Sequence, residues 1–174
     1  SLEPPEQPTA LARRPVQDHV AAPDGHRRQH PAAVPGGVAH LDERLGPRGA
    51  KFIYTIPNFQ NPAGVTLTPS RRRELLDLAR EYDIPVIEDD PYGRLRFEGG
   101  HALPLRALDD EVIYLGTFSK IFAPGLRLGW VIAPKPILAK FLLAKQAADL
   151  CGSAYAQTTA ERYFADTRWR KVLQ

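Results

Sequence analysis

The chain is poor in several features that would have assigned it to a class at once. It has one cysteine, Cys151, in 174 residues. That excludes an internal disulfide and a multi-cysteine zinc site, and the residue reads as a small apolar side chain in a reducing compartment. No apolar run reaches membrane-spanning length, because Pro134, Lys135 and Pro136 interrupt the best candidate. The N-terminus lacks the basic-then-apolar pattern of a secretory signal. A cytoplasmic protein without a membrane partner is expected. Net charge is only +3 and the basic residues are dispersed, so the concentrated basic face of a nucleic-acid binder is missing. The triplet Arg71-Arg72-Arg73 falls in the first turn of a predicted helix and is expected to form a solvated face.

The first fifty residues lack aromatics, isoleucine and lysine altogether, yet hold eight of the seventeen prolines and four of the five histidines. They show no helix or strand period and too little apolar bulk to offset their ordering entropy. Residues 1–45 are therefore expected to be disordered. Out-of-frame translation of a GC-rich gene, over residues 1 to about 37, is an alternative origin: Arg, Pro, Ala, Gly and His are what GC-rich codons give. His26 and His30 have the i,i+4 spacing of one helix face, but Gly25 and Pro31 flank them, and no metal site is expected.

From Lys51 onward the pattern is that of alternating strands and helices. Short apolar runs at 51–56, 84–88, 111–116 and 127–133 predict four strands, the first of them buried. Thr68 can cap a helix with Pro69 at its first position and Leu75, Leu76, Ala79 and Tyr82 as its apolar stripe. Residues 134–150 predict a second helix, with Pro136 near its start, and 154–174 further helix. Such alternation implies an α/β layered fold with a mainly parallel sheet.

Ligands of open α/β sheets bind beyond the carboxyl ends of the strands. At those ends the sequence sets Asn61, then Asp89 with Tyr92, then Thr117, Ser119 and Lys120, with Arg127 seven residues on. Each alone has a plain explanation: Asn-Pro with Gly makes turns, and a lone Asp, Lys or Arg at a strand end is ordinarily solvated. Three segments delivering an amide, a carboxylate with a phenol, and an amine with hydroxyls to one edge point instead to a shared small-molecule site.

The segments "NFQNPAG", "LTPSRRRELLDLAREYDIPVIEDD", "VIEDDPYGRLRF" and "TFSKIFAPGLRLGW" resemble the class I/II aminotransferases that depend on pyridoxal 5'-phosphate (PLP). The branch they are most similar to is the 2-aminoadipate and kynurenine aminotransferases. The resemblance runs from about residue 46 to 164, in the family's order and spacing, and residues 1–37 take no part. It implies the three-layer large domain of fold type I, present incompletely over residues 46–174.

By the same resemblance, Lys120 would be the lysine that holds the cofactor aldehyde and shuttles the substrate proton. Asp89 would pair with the pyridine nitrogen, with Asp90 the neighbouring competitor. Tyr92 and Asn61 would hydrogen-bond the ring's phenolic oxygen. Thr117, Ser119 and Arg127 would hold the phosphate. Substrates would be an amino acid and a 2-oxo acid, and the intact protein a homodimer. The family's upstream phosphate loop and ring-stacking aromatic find no counterpart, nor does its downstream small domain with the arginine for the substrate carboxylate. The chain is thus expected to be a fragment that binds PLP weakly and does not turn over. The aminotransferase-like effector domain of GntR-type transcriptional regulators, which keeps the same lysine, is the alternative. Other PLP reactions share these residues.

Overall fold

The computed structural model describes residues 50–166 and 168–173. The expectations for residues 1–45, His26 and His30 included, lie outside the described residues.

Four strands, β1 (Ile53–Thr55), β2 (Val86–Asp89), β3 (Ile113–Thr117) and β4 (Gly129–Ile132), form one sheet in that spatial order. The first three run parallel and β4 returns antiparallel. The sheet is thus mainly parallel, and β4 follows β3 through a single connection. Each observed strand is shorter than its apolar run. Pro57 and Pro85 bound the pairing of β1 with β2, and neither can donate a ladder hydrogen bond.

Helix α1 (Pro69–Glu81) crosses from β1 to β2. The Thr68 hydroxyl accepts from the Arg71 amide at 3.3 Å, and Pro69 opens the first turn. The turn into β2 passes through Asp83 at φ 52°, a left-handed conformation that Asp tolerates better than most residues. Leu75, Leu76 and Ala79 of α1 bury against Ile53, Ile84, Val86, Leu105 and Val112 to make the core.

Arg72 departs from the solvated triplet expected of the sequence. It is 1% exposed, because positions 72, 75, 76 and 79 follow the i, i+3, i+4, i+7 stripe that faces the sheet. Arg71 and Arg73 flank it off that stripe, half-buried and exposed respectively.

Strand alternation sends Val86 and Glu88 to the α1 side of the sheet, and Ile87 and Asp89 to the other. Glu88 is fully buried, and its carboxylate accepts from the Leu105 and Arg106 amides at 2.9 Å each. Burial pushes its pKa up, opposed by those two N–H groups. Its proton therefore favours the fold at low pH, and that contribution declines as pH rises through the raised value.

Helices α2 (Lys135–Asp149), α3 (Ala154–Ala165) and α4 (Trp169–Val172) complete the described chain. The single helical stretch expected over 154–174 is two helices, broken where Asp166 turns extended. Two other expectations change. β1 is buried on one face only, with Tyr54 52% exposed, and Cys151 lies on the surface rather than among apolar neighbours. No described helix is long and apolar enough to cross a membrane.

Gly116 on β3 pairs with Trp130 on β4, and a Cβ there would fall within 3.0 Å of three indole atoms. Trp130 in turn packs on Phe118 with ring centroids 4.7 Å apart. Gly116→Val is expected to cost about 1–3 kcal/mol through overpacking and to shift tryptophan fluorescence. An unchanged denaturation midpoint would mean the two strands lie further apart than this.

Candidate active site

The carboxyl ends of β1, β2 and β3 share one edge of the sheet, and the residues singled out in the sequence fall on it. Asp89 ends β2 and points away from α1. Its Oδ2 accepts from the Tyr54 hydroxyl at 2.5 Å, and Oδ1 has no hydrogen-bond partner among the described residues. The Tyr54 phenol, raised mainly by that hydrogen bond, is pushed up to about 12.

Asp90, its neighbour, is engaged on both oxygens. Oδ1 accepts from Asn58 Nδ2 at 2.9 Å and the Gly93 amide at 3.0 Å, and Oδ2 accepts from the Tyr114 hydroxyl at 3.1 Å. Burial, with Asp90's charge and hydrogen bond, raises the Tyr114 phenol well above its ordinary value. Of the two carboxylates in sequence, Asp90 braces the loop and Asp89 keeps an oxygen for something else.

Lys120 lies in a helical turn beyond β3, where the Phe122 amide donates to the Phe118 carbonyl at 2.9 Å. Phe118 and Phe122, four residues apart, are both anchored. Phe118 packs on Trp130 and Phe164, and Phe122 stacks on Tyr163 with centroids 4.1 Å apart. Midway between the anchors, Lys120 is exposed, and its Nζ lies 5.9 Å from the centroid of the Tyr92 ring. The amine, the phenol ring and, three residues before that ring, the Asp89 carboxylate thus come from two neighbouring strand ends.

The β3–β4 pairing brings Arg127 back beside Thr117 and Ser119. The Phe118 amide donates to the Leu128 carbonyl at 3.1 Å, and the Thr117 hydroxyl does so at 3.3 Å. The same hydroxyl accepts from the Ser119 amide at 3.0 Å. A phosphate that took Thr117's proton would have to displace Leu128's carbonyl. Arg127 caps the turn Pro124–Leu126 with φ 54° and ψ 41°. That left-handed conformation costs a non-glycine residue about 1–2 kcal/mol, the kind of strain that clusters at functional sites. Its guanidinium is exposed and donates to the Pro124 carbonyl at 3.3 Å. Among the described residues neither Lys120 nor Arg127 has a carboxylate partner.

Asn61 stands apart. It is exposed, its carbonyl accepts from Gln60, and its side-chain amide has no partner among the described residues. Among these residues the structure brings Lys120 against the Tyr92 ring and the Ser119 amide onto the Thr117 hydroxyl; Asp89 and Arg127 stand on the adjoining strand ends, and no described contact draws Asn61 to any of them. Sequence reasoning missed Tyr54 and the anchors Tyr163 and Phe164. Tyr54 was signalled by alternation, since it shares a sheet face with Asp89; the anchors had no local signal. These strand ends offer one open carboxylate oxygen, one amine and one guanidinium, none with an oppositely charged partner among the described residues. No group of three or more metal-ligating side chains occurs among the described residues.

Comparison with known proteins places the chain in a family. The family model for aminotransferase class I and II matches residues 37–170. The chain is similar to aromatic-amino-acid aminotransferase 1 of Thermococcus litoralis, at 52% identity over 130 residues, 71% of this chain and 31% of that protein. It is also 40% identical, over 72% of its length and 26% of the relative's, to the uncharacterized HTH-type transcriptional regulator YisV of Bacillus subtilis. Among solved structures, a kynurenine aminotransferase of Pyrococcus horikoshii superposes with a TM-score of 0.74 at 48% identity, covering 78% of this chain and 35% of that one. The chain thus spans about a third or less of the length of these relatives.

Proposed function

Since the chain belongs to the class I and II aminotransferases, we propose that residues 46–174 are part of a PLP-binding large domain whose complete enzyme moves an amino group from an amino acid to a 2-oxo acid. The observation that carries the reading is the meeting of two neighbouring strand ends. The Lys120 amine lies against Tyr92, and the Asp89 carboxylate, three residues earlier, keeps one oxygen open.

When bound, PLP supplies an electron-withdrawing ring that makes the proton on the amino acid's α-carbon removable. Asp89 would accept a hydrogen bond from the ring nitrogen and hold its positive charge. Lys120 Nζ would anchor the cofactor's aldehyde carbon and, once released, take and return the α-proton. Arg127 would bind the phosphate through its planar fork, with Thr117 and Ser119 beside it. Tyr92 and Asn61 would donate to the phenolic oxygen, Asn61 after a movement of its exposed turn. The complete enzyme is read as a cytoplasmic homodimer. The 174-residue chain alone is read as a portion that takes up PLP weakly and does not complete a cycle, a reading supported by its span of 31% of its Thermococcus relative.

The test is a titration of the purified chain with PLP, read by absorbance, followed by amino-acid addition. A new band from bound cofactor that an amino acid then displaces is expected. A PLP spectrum identical with and without protein would overturn the assignment.

The similarity to YisV supports a second reading, an aminotransferase-like sensing domain of a transcriptional regulator. The complete protein discriminates the two: a regulator would bind a DNA fragment in a PLP- or amino-acid-dependent way and form no 2-oxo acid.

A further inference from the structure

Tyr54 has no role in the site as assigned, yet it makes the only hydrogen bond to the Asp89 side chain among the described residues, at 2.5 Å. Its position on β1 is directly opposite Ile87. Asp89 lies two residues further along on the same sheet face, a diagonal neighbour within reach of a long aromatic side chain. The phenol is not held there by a need to satisfy a buried hydroxyl. Tyr54 is 52% exposed, and water could serve that hydroxyl equally well. Its choice of partner therefore constrains the carboxylate more than the tyrosine.

The asymmetry between the two carboxylates points the same way. Asp90 is gripped on both oxygens by three donors from the loop and β3. Asp89 is held on Oδ2 alone. One donor on one oxygen fixes the rotation of the carboxylate plane while leaving the other oxygen to accept. Asp89 is also the charged group that raises the Tyr54 phenol.

We propose that Tyr54 is a positioning residue of the cofactor site: by donating to Asp89 Oδ2 it orients that carboxylate so that Oδ1 meets the ring nitrogen of PLP. The proposal rests on the reading of Asp89 as the partner of that nitrogen.

Two measurements test it, one without cofactor. At pH 10 an ordinary phenol is about half ionised, whereas Tyr54 bonded to Asp89 stays protonated. In the cofactor-free chain, with folding followed by circular dichroism, Tyr54→Phe is therefore expected to leave the tyrosinate absorbance at pH 10 unchanged. In an Asp89→Asn background the same substitution is expected to remove about half of one tyrosinate. Loss of tyrosinate absorbance in the native background would show that the phenol is free, and would overturn the proposal whatever the cofactor does.

The second measurement is PLP affinity. Tyr54→Phe is expected to weaken PLP uptake about tenfold, because the unheld carboxylate must then be ordered as the cofactor binds, and to move the pH dependence of the bound cofactor's spectrum. The thermal midpoint of the cofactor-free chain should stay put. A purely structural tyrosine would do the reverse, lowering the midpoint at unchanged PLP affinity, and that result overturns the proposal. If the native chain binds PLP and Tyr54→Phe matches it in affinity and spectrum, the positioning role fails alone. If the native chain binds no PLP, the assignment of Asp89 fails and this proposal with it.

Discussion

Arg72→Ala is expected to destabilise the described domain by about 3–5 kcal/mol, through the loss of several hydrogen bonds from one buried guanidinium. The guanidinium is 1% exposed and donates to four acceptors. These are the carbonyls of Leu67 at 3.0 Å, Leu103 at 3.1 Å and Pro57 at 3.1 Å, and Asn58 Oδ1 at 2.7 Å. Those acceptors come from the lead-in to α1, the loop after β1 and the segment before Leu105–Ala107. Burial lowers the Arg72 pKa, and the charges of Glu88 and Asp90 work against that. Alanine would leave the Leu67 and Leu103 carbonyls and the Asn58 amide oxygen without this donor, each a cost of about 1–3 kcal/mol before relaxation, while the Pro57 carbonyl keeps the Leu67 amide at 2.9 Å.

The consequence reaches the candidate site. Asn58, held by Arg72 through Oδ1, donates through Nδ2 to Asp90, the residue after Asp89. Loss of the guanidinium frees Asn58 and with it the strand end that presents the cofactor carboxylate. Arg72→Lys keeps the charge but has one nitrogen in place of a planar fork, and it is expected to recover less than half of the loss. Denaturant unfolding of the two variants decides the point. A lysine variant as stable as the native chain would show that charge, not the fork, matters at this position.

Arg72 also marks where sequence reading stopped. The helical register 72, 75, 76, 79 was visible, and it assigns position 72 to the buried stripe. The residue's charge and its two arginine neighbours argued for solvent. Register won, because the loop carbonyls around α1 offer enough acceptors to hold a buried guanidinium. Tyr54 is the converse case: a residue read as part of a buried strand stands half-exposed on the face opposite α1, where it meets Asp89.

What was legible is what local chemistry dictates: strand positions from short apolar runs, the start of α1 from Thr68 and Pro69, and the polar residues at strand ends. Partners that close over long sequence separations were not legible. Phe118 and Phe122 read only as apolar residues beside Lys120, and nothing in their neighbourhood named Tyr163 and Phe164 as their anchors. Helix α2 shows the same limit, since its start follows from Pro136 while most of its apolar side chains meet no core among the described residues. Leu138, Phe141, Leu142 and Leu143 are 40–62% exposed.

Lys120→Ala is expected to abolish specific covalent capture of PLP. When the native chain is incubated with PLP and reduced with borohydride, the cofactor should become fixed to one peptide, that containing Lys120. The five other lysines set the background, because any exposed amine can react with an aldehyde. What separates Lys120 from them is placement. Its amine lies against Tyr92 with no carboxylate partner among the described residues, and the turn that carries it is fixed on both sides by Phe118 and Phe122. Lys145, by contrast, is paired with Asp149 at 2.8 Å. A fixed amine converts capture into an effectively unimolecular step, so labelling at Lys120 should saturate at PLP concentrations where the others are barely modified. The alanine variant loses an exposed side chain and no anchor, so its unfolding midpoint should match the native one and the comparison is of chemistry alone. Mass spectrometry of the reduced digest reads the result. Equal labelling of all six lysines in the native chain, or a saturable label that persists in Lys120→Ala, would remove Lys120 from the site and leave Asp89 and Arg127 without the amine that gives them a common purpose.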